Sequence, residues 1–225
     1  MLFVTGDTHI PVDIKKLNTA NFPQQKEMSR DDYVVVLGDF GLLWHENATY
    51  RHWLDLLTRK NFTILWLDGN HENHDWIARL PEKEWNGGRV HVVAENILHL
   101  MRGQIFSISG KKFFVCGGAA SVDKEQRTVG ISWWPQEDIS WAESEEALNN
   151  LEKVSYGVDY IFTHTCPASL AQPMFGERPV PDSTASFLDV VAENVPGAEW
   201  FFGHWHYDID YVRYHCLYQR VIRVL

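Results

Sequence analysis

Three short apolar runs, Leu2–Thr5, Tyr33–Leu37 and residues 62–67, each break off at small and polar residues. The breaks are Gly6-Asp7, Gly38-Asp39 and Asp68-Gly69-Asn70. Continuous runs of β-branched, aliphatic and aromatic residues are what strands buried on both faces require. Such a sheet needs a helix layer or a second sheet against each face, and its strand C-termini form the edge where ligands bind. The chain is therefore constrained to an α/β architecture with its polar chemistry gathered along one edge.

The segments between and after these runs fit that frame. Tyr50, Trp53, Leu54 and Leu57 have the spacing of one apolar helix face, and residues 75–80 read as a short helix ended by Pro81. His99-Leu100-Met101, Gln104–Ile108 and residues 112–116 read as antiparallel strands, with turns at Arg102-Gly103 and Gly110-Lys111. Residues 117–135 have no clean period and predict a long loop, a kind of segment that is usually functional. Helices are expected over 145–154 and 183–195, strands over 160–162 and 200–202, and a closing strand over 218–225. No repeat or linker divides residues 1–225, so a single domain is expected.

The formal charge of −10 disfavours tight binding to a nucleic-acid backbone, while leaving a nucleotide or a strand end open as a substrate. No stretch has the apolar length of a membrane span. The first polar break follows so soon after Met1 that a cleavable leader would remove part of it. The three cysteines, Cys116, Cys166 and Cys216, are odd in number and scattered, as expected of reduced thiols in a cytoplasmic protein.

Metal-binding side chains cluster at the strand ends. Asp7 and His9 alternate, so in an extended chain both would point to one side and reach one cation. His204 and His206 repeat that spacing, and Asp39, Asn70 and His164 fall between the two pairs. A mixed Asp, Asn and His set suits Mn, Fe, Zn or Co. Two divalent cations about 3.5–4 Å apart need a bridge, for which the two oxygens of Asp39 serve. A water shared between them would lose a proton near neutral pH and become the nucleophile. His71, next to Asn70, is the candidate general acid, with Glu72 or Asp68 as candidates to fix its tautomer.

Asp-x-His, Gly-Asp, Gly-Asn-His-Glu, a lone His and Gly-His-x-His run in this order from Asp7 to His206. Together they resemble the calcineurin-like metallophosphoesterase superfamily. The resemblance implies a four-layer αββα sandwich of two mixed β-sheets flanked by helices. It also implies a binuclear metal-dependent hydrolase of phosphate mono- or diesters, acting on small phosphorylated substrates that include nucleotides. By the same resemblance Asp7, His9, Asp39 and His206 hold one metal; Asp39, Asn70, His164 and His204 hold the other; and His71 is catalytic.

Protein phosphatases of that superfamily carry Gly-Asp-x-x-Asp-Arg in the second motif and an arginine before Gly-Asn-His-Glu. Here Gly38-Asp39-Phe40-Gly41-Leu42-Leu43 lacks the Asp-Arg pair, and Asp68 stands in the second place. Small-molecule or nucleotide ester hydrolysis fits better than protein dephosphorylation. Two rival functions use the same ligands: a nuclease or phosphodiesterase acting on nucleic-acid ends, and a non-catalytic metal-binding scaffold. His71, which scaffold members tend to lose, argues against the scaffold. Lys124 and Arg127 in the 117–135 loop are candidate phosphate contacts. Trp133 and Trp134 are candidate stacking surfaces, and Trp44 and His45 are candidate pocket walls.

Overall fold

The computed structural model describes residues 1–176 and 182–225. Its first half contains β1 (Leu2–Thr5), β2 (Tyr33–Leu37), α1 (Ala48–Thr58), β3 (Thr63–Leu67), α2 (His74–Ile77), β4 (Glu82–Trp85), β5 (Gly88–Ala94) and β6 (Ile97–Leu100). Then come β7 (Gln104–Ile108), β8 (Lys111–Cys116), α3 (Trp141–Lys153), β9 (Tyr160–Thr163), α4 (Ala168–Phe175) and α5 (Ser183–Asn194). The chain ends with β10 (Glu199–Phe202), β11 (Ile209–Tyr211), β12 (Tyr214–Cys216) and β13 (Ile222–Arg223). One sheet has the order β13-β1-β2-β3-β6-β5-β4 and the other β11-β12-β10-β9-β8-β7. Both are mixed: β1, β2, β3 and β6 pair parallel, as do β8, β9, β10 and β12, with antiparallel strands at the edges.

Strand alternation builds the layers. Leu2, Val4, Val35 and Leu65 face Phe106, Phe113 and Phe162 of the second sheet in one apolar layer. The intervening Phe3, Val34, Val36 and Ile64 point the other way and pack against Leu57 of α1 and the loop residues Phe22 and Phe40. Across the molecule Phe114, Ile161 and Trp200 pack on Ala147 and Leu151 of α3 and on Leu188 and Val191 of α5. The sheets are thus buried on both faces, in the helix–sheet–sheet–helix order that the resemblance implies. Each fully buried Leu or Phe in these layers contributes about 1.5–3 kcal/mol.

Helix boundaries follow the caps more than the apolar pattern. Asn47 caps α1 by accepting from Tyr50 N, and a Ser140–Glu143 capping box starts α3 ahead of the expected residue 145. That first turn escapes an apolar-pattern reading because Trp141 is exposed to solvent.

Three expectations are corrected. β6 does not join β7 and β8 in a meander: it pairs with β3 and β5, so Arg102-Gly103 is the crossing point between the two sheets. β6 is buried on both faces while β7 alternates, and that contrast separates them. The closing strand over 218–225 shrinks to β13, because the 218–221 segment turns around Asp208, which accepts from three of its backbone amides. The β4–β5 hairpin stands where no strand is expected, although Asn86-Gly87 carries its turn with φ of 49° and 92°.

All three cysteines are free and buried. Among the described residues no helix is long and apolar enough to cross a membrane.

Candidate metal centre

The C-terminal ends of the parallel strands in both sheets converge on one point. β1 delivers Asp7, β2 delivers Asp39 and β3 delivers Asn70, while β9 and β10 of the other sheet deliver His164 and His204. Asp7, Asp39, Asn70 and His164 are buried. His9, Asp39, His204 and His206 have φ of 34°, 47°, 65° and 55°, in the left-handed region that residues other than glycine rarely occupy. Each such residue costs on the order of 1–3 kcal/mol, and such strain concentrates where side chains are aimed for function. The Asp7–His9 pair therefore converges through a turned backbone rather than through extended alternation, contrary to the spacing argument.

Two ligand groups form. The donor atoms of Asp7, His9 and His206 lie within 4.8 Å of one another, as do those of Asp7, Asp39 and His164. Asn70 Oδ1 lies 3.1 Å from His164 Nε2 and 3.0 Å from His204 Nδ1. His206 instead stands beside His9, with ring centroids 5.0 Å apart. His204 thus turns to Asn70 while His206 joins Asp7 and His9, a separation that their shared spacing does not give. Asp39 reaches both, with His9 Nε2 3.2 Å from Oδ2 and His164 Nε2 3.5 Å from Oδ1.

The donor set fits cations. His164 Nδ1 is 2.8 Å from the Leu37 carbonyl and donates to it, which leaves an Nε2 lone pair facing Asn70 Oδ1 and Asp39 Oδ1. Asn70 Nδ2 donates to Ser121 Oγ at 3.1 Å, and Ser121 donates to Glu137 at 2.7 Å, so the amide oxygen faces inward. Acceptors therefore converge on acceptors, an arrangement that a positive ion resolves. Burial and the neighbouring His164 push His204 down to about 3, so its ring is neutral at pH 7, the form a metal ligand needs. Burial disfavours charge on His9 as well, but hydrogen bonding to Asp39 and the charge of Asp7 outweigh it and raise the ring to about 9.

Two glycines let ligands approach. A Cβ at Gly38 would sit 2.1 Å from His164 Nδ1, and one at Gly69 would sit 2.0 Å from Asp39 Oδ1. Each of these two glycines seats a candidate ligand supplied by a different motif.

His71 donates its backbone N–H to Asp39 Oδ1 at 2.8 Å. Neither Glu72 nor Asp68 fixes its ring. Glu72 is buried, accepts from Phe40 N and is pushed well above the usual carboxylate range, first by burial and then by Asp39. The ring's partner is Arg127, whose Nη1 is 2.9 Å from Nδ1 and whose Nη2 is 3.4 Å from Nε2. A guanidinium only donates, so the nearer contact marks Nδ1 as acceptor and leaves the neutral ring's proton on Nε2. Arg127 is steered by Asp123 at 2.7 Å. Lys124 is exposed, and Trp134 is buried with its Nε1 donating to Asp75. Neither Trp133 nor Trp134 lines the clefts at the centre, whereas Trp44 and His45 do.

Two supports leave no mark in the sequence. Lys16 is buried and donates to the carbonyls of Gly6, Asp7 and Tyr218, pinning the end of β1 behind the centre. Arg102 is buried and donates through Nε to Asp68 Oδ2 at 2.8 Å and through Nη2 to the Gln136 carbonyl at 2.8 Å, tying the segment after the 117–135 loop to the end of β3. No local motif marks either residue, because each partner lies far away along the chain or on the backbone. The burial of Asp68 alone would raise its pKa, but the Arg102 charge and His99 hold it well below the usual range.

Asp68→Asn leaves the buried Arg102 charge without its carboxylate, so we expect a loss of about 3 kcal/mol at pH 7 by denaturant unfolding. A depressed native pKa contributes stability above the ordinary carboxylate range, and that stability is lost as pH falls through the native value. The gap between native protein and variant should therefore close in acid. A gap that stays constant to pH 3 would remove the ion pair as its cause.

A family model described as calcineurin-like phosphoesterase matches residues 2–208, a span that holds all seven candidate ligands, His71 and Arg127. No curated protein sequence matches the chain.

Proposed function

This chain belongs to the calcineurin-like phosphoesterase family, and we propose that it hydrolyses small phosphate esters at two divalent cations, with His71 as general acid. The carrying observation is the split ligand set. Asp7, His9 and His206 face one point; Asp7, Asp39 and His164 face the next, where Asn70 joins His164 and His204; and Asp39 reaches from His164 to His9. Bound cations would acidify a shared water and draw charge from the phosphoryl oxygens.

The chain's own residues do the rest. The water oxygen bonds to phosphorus as the bond to the leaving oxygen breaks, and His71 delivers the proton that oxygen needs. Burial and Arg127 lower the proton affinity of His71, while Asp39 raises it. A docked phosphate is a stronger partner for the guanidinium than an imidazole nitrogen. Arg127 would move onto the phosphate and leave His71 free to hold its proton. In this reading Arg127 supplies from the loop the cation that the second and third motifs lack.

Metal-free protein should take up about two Mn, Fe, Zn or Co ions per chain, and ester hydrolysis should appear with them. His9 must lose its proton to become a ligand, so apparent metal affinity should rise as pH approaches 9. Calorimetry combined with a screen of monoesters, diesters and nucleotides measures both. Protein that binds no metal across that pH range would sink the reading.

A further inference from the structure

We propose that the centre acts on phosphodiesters whose two substituents occupy separate clefts, with a flat, uncharged group in the cleft of Trp44. The proposal deepens the phosphoesterase reading above and rests on it. Two clefts open on the candidate centre, of about 550 Å³ and about 350 Å³, and His71 is the one residue that lines both among the described residues. Each volume lies within the range of about 300–1,000 Å³ typical of small-molecule sites. A phosphate monoester carries one substituent and would leave one cleft unused. A diester bound at the cations beside His71 has one arm for each.

The two linings differ in chemistry. The larger cleft carries Asp123, Asp182 and Arg127 beside the candidate ligands, and so suits a polar substituent. The smaller one has no carboxylate, lysine or arginine among its described lining residues; Pro11, Leu42, Trp44 and Tyr50 form much of its wall. Its rings are held from behind. Trp44 meets Trp134 edge-on at 5.4 Å, and Tyr50 packs on Trp76 at 4.9 Å. Trp134 is fixed in turn by donating Nε1 to Asp75 at 3.0 Å. Beyond the imidazoles of His9, His45 and His71, the wall is built of aliphatic and restrained aromatic faces, which favour a planar neutral group such as an aryl ring or a nucleobase because the wall loses little freedom on binding. In the reaction water adds to phosphorus, one ester P–O bond breaks, and His71 gives its proton to the departing oxygen. The products are a monoester and an alcohol.

The test compares bis(4-nitrophenyl) phosphate with 4-nitrophenyl phosphate on metal-loaded protein. The diester should show a kcat/KM at least about tenfold higher. Trp44→Ala removes one wall, and Thr49→Trp fills the cleft from an exposed position on α1. Either variant should raise the diester KM about tenfold with little change in kcat, since the aryl group stacks equally well in ground state and transition state. Metal-free protein, which cannot turn over, should bind the diester more tightly than the monoester in calorimetry, and Trp44→Ala should abolish that difference. A monoester kcat/KM equal to or above that of the diester overturns the proposal while the phosphoesterase reading stands. A diester preference that survives in both variants overturns the assignment of this cleft. Hydrolysis of neither ester with any of the metals overturns the reading and the proposal together.

Discussion

His71→Ala is expected to lower kcat by about 10²- to 10⁴-fold, the usual contribution of a positioned general acid, while metal content stays close to that of the native protein. The separation of the two effects follows from geometry. The link of His71 to the centre is its backbone N–H on Asp39 Oδ1, which an alanine keeps. Its ring contacts Arg127, and no candidate ligand atom is hydrogen-bonded to it among the described residues. The defect should also depend on the leaving group. 4-Nitrophenolate departs with little help from an acid, so the loss should be smaller for 4-nitrophenyl esters than for alkyl esters. Metal analysis alongside kcat for both ester types decides the matter. Loss of metal would make His71 a ligand, and equal losses for both leaving groups would remove its acid role.

Asp39→Asn is expected to empty the centre, with metal content falling from about two ions per chain to less than about one and activity falling with it. Asp39 is buried and reaches His9 through Oδ2 and His164 through Oδ1, so a single carboxylate serves both ligand groups. Burial raises its pKa, but the surrounding histidines, with the hydrogen bond to His9, outweigh that and hold it below the usual carboxylate range, so it is an anion at neutral pH. The amide keeps the size and one oxygen to accept from His71 N, but it loses the charge and the second acceptor oxygen. The variant should therefore fold, and circular dichroism should match the native protein. Retention of both metals would transfer the bridging role elsewhere.

Much of this centre is legible in the chain because its ligands sit where strands end. A strand buried on both faces is largely apolar, so the charged or amide residues just beyond it stand out, as Asp7, Asp39 and the Asp68-Gly69-Asn70 stretch do. The parallel order of β1, β2 and β3 then brings those residues to one edge without further information. The same reasoning fails one strand later. Periodicity describes a strand's faces but not its neighbours, so β6 and β7 read as partners although they lie in different sheets.

The residue types and their order along the chain were enough to point to the candidate ligands, the aspartate proposed to bridge them, the candidate acid and the family. Those features are local: each is a short motif whose chemistry follows from its own side chains. How the ligands divide was not local. His204 and His206 have the same spacing as Asp7 and His9, yet with left-handed backbone at 204 and 206 one ring meets Asn70 and the other joins Asp7 and His9. The partner of His71 was not local either. Glu72 and Asp68 are its neighbours in the chain, but one is held by Phe40 N and the other by Arg102, and the guanidinium that touches the ring comes from Arg127 in the loop beyond β8. Such contacts depend on which buried charges find each other once the sheets stack, and no spacing along the chain encodes that.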